Sequence, residues 1–404
     1  MLFTIFHTVF IMFVRYFYTI LINIYRKKNM NKLLRLLLVC ALILTTAFAS
    51  CKAPDDSTDD STSNLTSNST NNSSTDQTDD SYVPSIEYPL DFEVRVEAGR
   101  DVKILQLTDP QVFENDDALL QKKCFSIMDY VVEQTKPDLI LVTGDIIYGR
   151  YDETGEIFTK IVNKFESYGI PWAPIFGNHD NESKKGTKWQ CQTLEDAQNC
   201  LFVKRSELSG NGNYSIGVFS GDDLIRTIYM LDTKGCANID GKYRQAPCNL
   251  DPNQKDFVVD SQAKAELYRG KKVEGFVCQH IMISFIANAV KSKYNVDLSN
   301  IKNFVLPTDQ GDFGAFGQKF TPQIDKNGAY FYAFKDCGIT GIFAGHEHLN
   351  DASVEYDGVR LTYGVKSSTC DSFDINMLGG TLIKVNADGF SVGNVYFPPD
   401  DLQL

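Results

Sequence analysis

Four of the five histidines in this 404-residue chain lie directly after apolar, strand-like runs, together with carboxylates and one asparagine. The runs and the residues that end them are "ILQL" with Asp109, "LILVT" with Asp145, "APIF" with Asn178, His179 and Asp180, "FVCQ" with His280, and "GIFA" with His346 and His348. Carboxylate, imidazole and amide oxygen are the ligand types of hard-to-borderline divalent and trivalent metal ions. The pattern therefore predicts metal chemistry at the ends of five strands.

Each strand end, taken alone, is also typical of ordinary loop initiation or of a structural histidine in the core. The distribution of the histidines favours the metal interpretation. The fifth histidine, His7, lies in the N-terminal segment, and the other four all belong to the strand-end set. Because ligands bind beyond the carboxyl ends of strands in open α/β sheets, we expect the five ends to converge.

The elements that must position these residues follow from the hydrophobic pattern between residues 88 and 398. In the first half, apolar runs alternate with helices predicted at about 116–135 and 154–168, which is typical of βαβ units. The second half has short strands with Gly and Asp turns, a helix at about 253–269 and an irregular insert at about 286–330, which suggests a second sheet. The prediction is one α/β domain built as a two-sheet α/β/β/α sandwich.

The first 86 residues have a different composition and are predicted to lie outside this domain. We interpret residues 1–29 as an upstream extension, with an additional membrane helix as the alternative. Residues 30–51 run from positive to apolar to small residues, which is typical of an export signal. The final Ala-Ser-Cys resembles a bacterial lipobox and implies a lipid on Cys51. Residues 52–86 are mostly Ser, Thr, Asn and Asp and are predicted to form a disordered tether.

Charge and cysteine content bear on the partners, the location and the disulfides of the chain. The net charge of −13 argues against nucleic acid or an anionic membrane surface as the main partner, because like charges repel at long range. The expected location is extracytoplasmic, anchored to the membrane through lipid, or secreted if the chain is not lipidated. Export permits disulfides, and the pairs Cys191/Cys200 and Cys236/Cys248 are close enough in sequence to close short loops.

The five motifs, in this order, resemble the calcineurin-like metallophosphoesterases over roughly residues 100–396. The resemblance implies the two-sheet fold and two metal ions that hold a phosphate between them. The implied metal ligands are Asp145, shared by both ions, Asp109 and His348 on the first ion, and Asn178, His280 and His346 on the second. His179 would stabilise the phosphoryl oxygens or protonate the leaving alkoxide, and Asp180 would orient its imidazole.

The motif around Asp109 departs from the family. Many members have histidine where this chain has Gln111, whose neutral amide oxygen is a weaker ligand. The purple acid phosphatases, a branch of the same family, carry a tyrosine at the position of Tyr148 and use it on ferric iron, and the motif pattern of this chain is most similar to theirs. If Tyr148 binds, ferric iron plus a divalent ion is expected. If Tyr148 only packs in its loop, Mn, Zn or Mg is expected, and Gln111 is a ligand or a neighbour of one.

The function implied by the resemblance is hydrolysis of phosphomonoesters or phosphodiesters by metal-bound hydroxide. The alternatives are a nucleotide or cyclic-nucleotide phosphodiesterase or pyrophosphatase, and a non-catalytic surface-binding lipoprotein on the same scaffold. The predicted partners are a small-molecule phosphate ester and the membrane, reached through the N-terminal lipid. The loop 181–189, with Lys184, Lys185 and Lys188, and the insert 286–330 are predicted to select the substrate, and Arg150 follows Tyr148 closely. The lysines could neutralise a second phosphate, or they are simply solvated loop residues.

Overall fold

The computed structural model describes residues 87–113, 118–235, 237–239, 242–244, 249–298, 303–318, 323 and 325–402. The predicted extension, lipoprotein signal and tether (1–86) and the pair Cys236/Cys248 lie outside these residues. All the described residues fall within one compact unit, Tyr82–Leu404. Within the described ranges, no helix is both long enough and apolar enough to cross a membrane.

Two mixed β-sheets form the centre of the domain. In chain order the strands are β1 (Phe92–Val96), β2 (Val102–Leu107), β3 (Leu139–Thr143), β4 (Trp172–Ile175), β5 (Tyr214–Ser220), β6 (Asp223–Leu231), β7 (Ala237–Ile239), β8 (Lys242–Arg244), β9 (Gly275–Gln279), β10 (Phe304–Val305), β11 (Ala315–Phe316), β12 (Ile339–Ala344), β13 (Ser353–Tyr356), β14 (Val359–Tyr363), β15 (Gly379–Asn386) and β16 (Gly389–Tyr396). The seven-stranded sheet has the order β1-β5-β6-β9-β12-β14-β13, and the five-stranded sheet has the order β16-β15-β2-β3-β4.

Parallel pairing brings the carboxyl ends of the functional strands to one edge of each sheet. In the five-stranded sheet β2 pairs with β3 and β3 with β4, all parallel. In the seven-stranded sheet β9 pairs parallel with both β6 and β12. The short strands β7 and β8, and likewise β10 and β11, pair as small antiparallel ribbons.

Helices cover the outer faces of both sheets. They are α1 (Ala118–Thr135), α2 (Glu156–Glu166), α3 (Thr187–Glu195), α4 (Pro252–Arg269), α5 (Phe285–Tyr294) and α6 (Ala329–Asp336). Helix α1 packs on β2 and β15, whereas α4, α5 and α6 pack on β6, β13 and β12 of the other sheet. The predicted two-sheet α/β/β/α sandwich is therefore confirmed.

The buried strands read as continuous apolar runs because both of their faces are covered. On β9, Phe276 and Cys278 point into the cluster shared by the two sheets, while Val277 points into the cluster under the helices of the seven-stranded sheet. Successive side chains of a strand point to opposite faces. Continuous burial, as on β3 and β9, therefore identifies the inner strands whose ends carry the polar residues.

Two expectations are corrected by the structure. The insert at 286–330 is not irregular throughout, because α5 occupies its start and buries Phe285, Ile286, Ala289 and Val290 on one face. Apolar residues spaced four apart form such a face on a helix. The short-range pair Cys191/Cys200 does not form a disulfide, and both residues are free thiols.

Candidate metal centre

The five predicted strand ends meet where the two sheets face each other. His280, after β9, places its Nδ1 2.9 Å from the carbonyl oxygen of Thr143 at the end of β3. The backbone amide of His346, after β12, donates to Asp109 Oδ2 at 2.9 Å, and Asp109 follows β2. The site is therefore assembled from both sheets, and its geometry depends on their packing.

The convergent side chains form two groups of possible metal ligands that share one carboxylate. The groups are Asp145, His280 and His346, and Asp109, Asp145 and His348, each with its ligand atoms within 4.8 Å of one another. Asn178 joins the first group, since its Oδ1 lies 3.0 Å from His280 Nε2. The structure thus brings together all six Asp, Asn and His side chains that the sequence indicated as metal ligands.

Hydrogen bonds to backbone carbonyls orient two of the imidazoles. His280 directs Nδ1 at the Thr143 carbonyl, and His348 directs Nδ1 at the carbonyl of Ser372 at 3.0 Å. A carbonyl oxygen accepts only, so Nδ1 carries the proton in both rings and Nε2 faces the carboxylates. His280 Nε2 lies 3.4 Å from Asp145 Oδ2, and His348 Nε2 lies 3.5 Å from Asp109 Oδ1. Such outer hydrogen bonds fix the tautomer in which Nε2 binds a metal.

The donor set fits metal ions. Asp109 Oδ1 is buried and accepts no hydrogen bond from the described residues. Burying a carboxylate oxygen without a partner is costly, and a bound cation removes that cost. Burial alone raises the pKa of Asp109, but His348 and His280 hold it at about 2, while burial lowers the pKa of His346 to about 4. Burial also lowers the pKa of His280, but Asp145 outweighs it and raises this pKa to about 10, so metal binding there would release a proton. Ionised carboxylates beside a neutral imidazole are the forms that coordinate metals.

Backbone strain is concentrated at this site. Asp109, Gln111, Asp145 and His346 adopt φ values of 51°, 43°, 47° and 73°, in the left-handed region. Non-glycine residues in this region cost of order 1 kcal/mol or more each and persist only where the surroundings enforce them. Two neighbouring glycines allow the turns to approach closely: a Cβ on Gly177 would clash with Asp145, and a Cβ on Gly345 would clash with Thr108.

His179 is positioned by a residue that the sequence analysis did not select. The imidazole Nδ1 lies 2.7 Å from Glu182 Oε1, whereas the predicted partner, Asp180, does not contact the ring. Asp180 instead accepts backbone hydrogen bonds from Ile147 at 3.0 Å and Gly177 at 2.7 Å. The prediction that Asp180 orients His179 is therefore wrong. The short helical turn after His179 brings the residue three positions later to the ring, while the carboxylate next in sequence points inward.

Gln111 contacts the shared carboxylate rather than presenting its oxygen to the site. Its Nε2 donates to Asp145 Oδ2 at 3.1 Å, and its Oε1 accepts from Lys366 Nζ at 3.3 Å. Lysine only donates and a carboxylate only accepts, so these contacts permit one orientation of the amide. Lys366 is buried and also donates to the Asp109 carbonyl at 2.9 Å. Of the two roles considered for Gln111, the geometry favours that of a neighbour supporting a ligand.

Tyr148 packs against His179, with 4.3 Å between the ring centroids, and the Arg150 guanidinium lies 4.6 Å above its ring. Burial raises the pKa of Tyr148, and the nearby Arg150 partly offsets this shift. Phe113 and the half-exposed Tyr151 complete an aromatic cluster around it, with centroids 6.4 Å and 5.2 Å from the Tyr148 ring. Metal binding by Tyr148 stays a prediction.

The loop predicted to select the substrate makes contacts of its own. Lys184 forms an exposed ion pair with Glu153, and Lys185 lies 5.0 Å above the ring of Trp189. Both cations therefore already have partners within the loop region.

The sequence analysis did not identify three residues that support the site. Glu182 could have been suspected, because it lies three residues after His179, as helical spacing requires. Lys366 could have been suspected as well, because it is a single cation directly after the apolar strand β14 and Gly364-Val365. Ser372, which orients His348 through its carbonyl, could not have been suspected, because any residue has a carbonyl oxygen.

The chain shows similarity to a protein family, to curated proteins and to solved structures. Residues 102–350 match the family model described as calcineurin-like phosphoesterase. The chain is 26% identical over 257 residues to "probable inactive purple acid phosphatase 14" of Arabidopsis thaliana, covering 59% of this chain and 60% of that protein. It is 24% identical over 262 residues to phosphatase DCR2 of Saccharomyces cerevisiae, covering 60% of this chain and 42% of that protein.

The chain spans between 42% and 61% of the length of the curated relatives it matches. Among solved structures, it resembles purple acid phosphatase PPD1 from yellow lupin (Lupinus luteus), with a TM-score of 0.44 and 11% identity, over 76% of this chain and 52% of that chain.

Proposed function

The chain belongs to the calcineurin-like phosphoesterase family, and on that premise we propose that it is a dinuclear-metal phosphoesterase that hydrolyses phosphomonoesters or phosphodiesters. The observation that carries the proposal is the membership of Asp145 in both ligand groups. A shared carboxylate is suited to hold two cations side by side. When bound, two such ions supply Lewis acidity toward the phosphoryl oxygens and lower the pKa of water.

The residues that would hold the ions divide between the two groups. Asp109 and His348 would hold one, Asn178, His280 and His346 the other, and Asp145 both. Gln111 supports this arrangement by donating to Asp145 Oδ2, and Lys366 in turn fixes the Gln111 amide. These contacts keep the shared carboxylate in one orientation.

His179 is the proposed proton donor. Its Nδ1 is engaged by Glu182, so Nε2 is the ring atom left to deliver a proton. In the hydrolysis, the oxygen of water bonds to phosphorus and loses one proton to solvent, the bond from phosphorus to the ester oxygen breaks, and the departing oxygen takes the proton from Nε2. Burial lowers the pKa of His179, but Glu182 and Asp145 raise it above its usual value overall, which favours the protonated form. The side chain is 18% exposed, so solvent can restore the proton.

The identity of the metals depends on Tyr148. Binding through the phenolate selects ferric iron plus a divalent ion, and packing alone leaves Mn, Zn or Mg. A visible charge-transfer band in the isolated protein that disappears in Tyr148→Phe would assign iron. A colourless active protein, with Tyr148→Phe retaining its metals, would assign divalent ions.

The aromatic cluster around Tyr148 favours a second candidate, a nucleotide or cyclic-nucleotide phosphodiesterase or pyrophosphatase. Phe113 and Tyr151 pack against each other beside Tyr148, whose ring contacts the proposed proton donor His179, and Tyr151 is 46% exposed. Aromatic side chains stack on nucleobases. A panel of alkyl monoesters, nucleoside monophosphates, dinucleotides and cyclic nucleotides separates the candidates by their kcat/KM values.

We also propose that the domain is exported and held at the membrane by lipid on Cys51. The support is the lipobox-like sequence, followed by a tether of 35 residues, 52–86. Metabolic labelling with a radioactive fatty acid tests this proposal, with Cys51→Ser as the variant and Cys40→Ser as the control. Equal labelling of both variants would contradict lipidation at Cys51.

Metal analysis combined with phosphate release tests the enzyme proposal. We expect about two equivalents of metal in the full chain. We also expect a fall in kcat of about 10³-fold in Asp145→Asn. Asp222→Asn is the matched control, since the Asp222 side chain is fully exposed. A chain that holds well under one equivalent, without metal-restored hydrolysis, would contradict the enzyme proposal and favour the non-catalytic binding lipoprotein.

A further inference from the structure

Two cysteines that are remote in sequence meet in the interior of the domain. Cys124 lies on α1 and Cys370 on the segment after β14, 246 positions later; both are free thiols in this structure, but their sulfur atoms are only 2.7 Å apart. Cys124 is 0% exposed and Cys370 is 2% exposed. Non-bonded heavy atoms normally approach to roughly 3.5 Å, and a disulfide bond measures about 2.05 Å. The two sulfurs are thus closer than ordinary packing requires.

From this geometry we infer that Cys124 and Cys370 are a site of covalent modification and form a disulfide bond in the mature protein. The oxidant is a small disulfide such as oxidised glutathione. One cysteine sulfur attacks that disulfide and releases one thiol, and the second cysteine then displaces the other thiol. The protein gains one sulfur–sulfur bond, and its two thiol hydrogens end on the two released small thiols.

The timing of these steps follows from the burial of both sulfurs. The attacking species in disulfide exchange is the thiolate, which must be able to reach the dissolved disulfide. Since a fully buried sulfur is out of reach of a dissolved disulfide, the exchange has to occur during folding, before α1 closes over the pair.

The cross-link would hold the segment 366–372, which supports the proposed first metal site. Lys366 Nζ donates to the carbonyl of Asp109 at 2.9 Å, and Ser367 Oγ accepts from the amide of Thr108 at 2.9 Å. The same segment orients His348 through Ser372 at 3.0 Å. A disulfide at Cys370 therefore ties the supports of Asp109 and His348 to α1.

Peptide mapping of the full chain, folded with a mixture of oxidised and reduced glutathione, tests the bond directly. Free thiols are blocked in denaturant without reductant, the chain is digested, and the linked peptides are identified by mass. We expect a Cys124–Cys370 peptide pair that is two hydrogens lighter than the reduced peptides and disappears on reduction. Recovery of Cys124 and Cys370 as blocked free thiols would overturn the inference. This readout does not depend on metal binding or catalysis.

Thermal unfolding gives a second readout. Wild type folded with reductant present should have a Tm lower by roughly 4 °C or more than wild type folded with the glutathione mixture. Cys124→Ala and Cys370→Ala should each unfold at lower temperature and no longer respond to reductant, and the double variant should respond like either single one. Cys191→Ala, which removes a buried free thiol on α3, should keep the full response. A reductant response that persists in Cys370→Ala would contradict the proposed pairing.

The metal content of the oxidised and reduced wild type extends the test to the site, and this part alone rests on the proposed function. We expect reduction to weaken the first metal more than the second, because Asp109 and His348 contact the segment 366–372 directly, whereas the shared Asp145 is connected to it only through Gln111. Equal loss of both metals would contradict the proposed link to the first site without affecting the disulfide itself.

Discussion

Replacing Glu182 with glutamine tests the proposal that His179 donates a proton. Glu182 Oε1 lies 2.7 Å from His179 Nδ1, and Glu182 Oε2 accepts from the amide and Nε of Arg150 at 3.2 Å each. Glu182→Gln keeps the shape of the side chain but removes the charge that stabilises a protonated imidazole. The substitution therefore lowers the protonated fraction of His179, while a side chain of the same size still fills the space in the loop.

The expected loss follows from the change in hydrogen-bond type. A hydrogen bond to a charged group contributes about 1.5–3 kcal/mol, and one between neutral groups about 0.5–1.5 kcal/mol. Losing the difference of roughly 1–1.5 kcal/mol lowers kcat about 5- to 10-fold where proton donation limits the rate.

The assay compares two monoesters that differ in their need for a proton. An alkyl phosphate releases an alkoxide that must be protonated, whereas nitrophenyl phosphate releases a stable phenolate. We expect Glu182→Gln to lower kcat about 5- to 10-fold for the alkyl ester and less than about 2-fold for the nitrophenyl ester.

Glu153→Gln is the matched control, because Glu153 is a 66% exposed side chain that pairs with Lys184. It should leave both substrates unchanged. A fall of equal size for both esters in Glu182→Gln would refute proton donation through His179, since a merely displaced loop does not distinguish leaving groups.

Three further predictions concern neighbouring residues. Lys366→Met should weaken binding of the first metal about 10-fold in a metal titration, because Lys366 donates to the carbonyl of Asp109. Lys384→Met is the control, since Lys384 is exposed and should not affect metal binding. Equal metal affinities of the two variants would contradict the role of Lys366. Gly177→Ala should lower kcat/KM about 10²-fold in a phosphate-release assay, because its Cβ would displace Asp145, and full activity would contradict the close approach. Burial raises the pKa of Asp232 to about 6, above its unfolded value of 3.8. The folded state therefore binds this proton more tightly than the unfolded state, and the resulting stabilisation is complete below about pH 4 and is lost as the pH rises through about 6. In urea unfolding, the free energy of unfolding of Asp232→Asn should therefore rise relative to that of the wild type by up to about 3 kcal/mol between pH 4 and pH 7. A difference that does not change with pH would contradict the raised pKa of Asp232.

The fold and the cluster of ligand side chains were predictable because their causes are local or periodic. Continuous apolar runs identify inner strands, and the residue after each run lies at the edge where parallel strands end. The helices predicted at 116–135, 154–168 and 253–269 begin and end within two residues of those observed. The histidine distribution then singled out the edge at which these strand ends converge.

The support of the site was harder to predict because it depends on contacts between distant segments. Asp180 and Glu182 are both carboxylates near His179, and only the turn that follows decides which one reaches the ring. The sequence indicated Gln111 only as a weak ligand or a neighbour of one, because the residue that orients its amide, Lys366, lies 255 positions away. Cys124 and Cys370 were not paired in the sequence analysis, because a long separation gives no local signal.

The left-handed backbone at Asp109, Gln111, Asp145 and His346 has an evolutionary consequence. Glycine would adopt these φ values without strain, so backbone strain alone favours glycine at these positions. The buried hydrogen bonds of the Asp109, Gln111 and Asp145 side chains favour the residues that are present. Directed evolution of this domain for heat resistance alone should therefore accept glycine only where the relief of strain exceeds the loss of these hydrogen bonds.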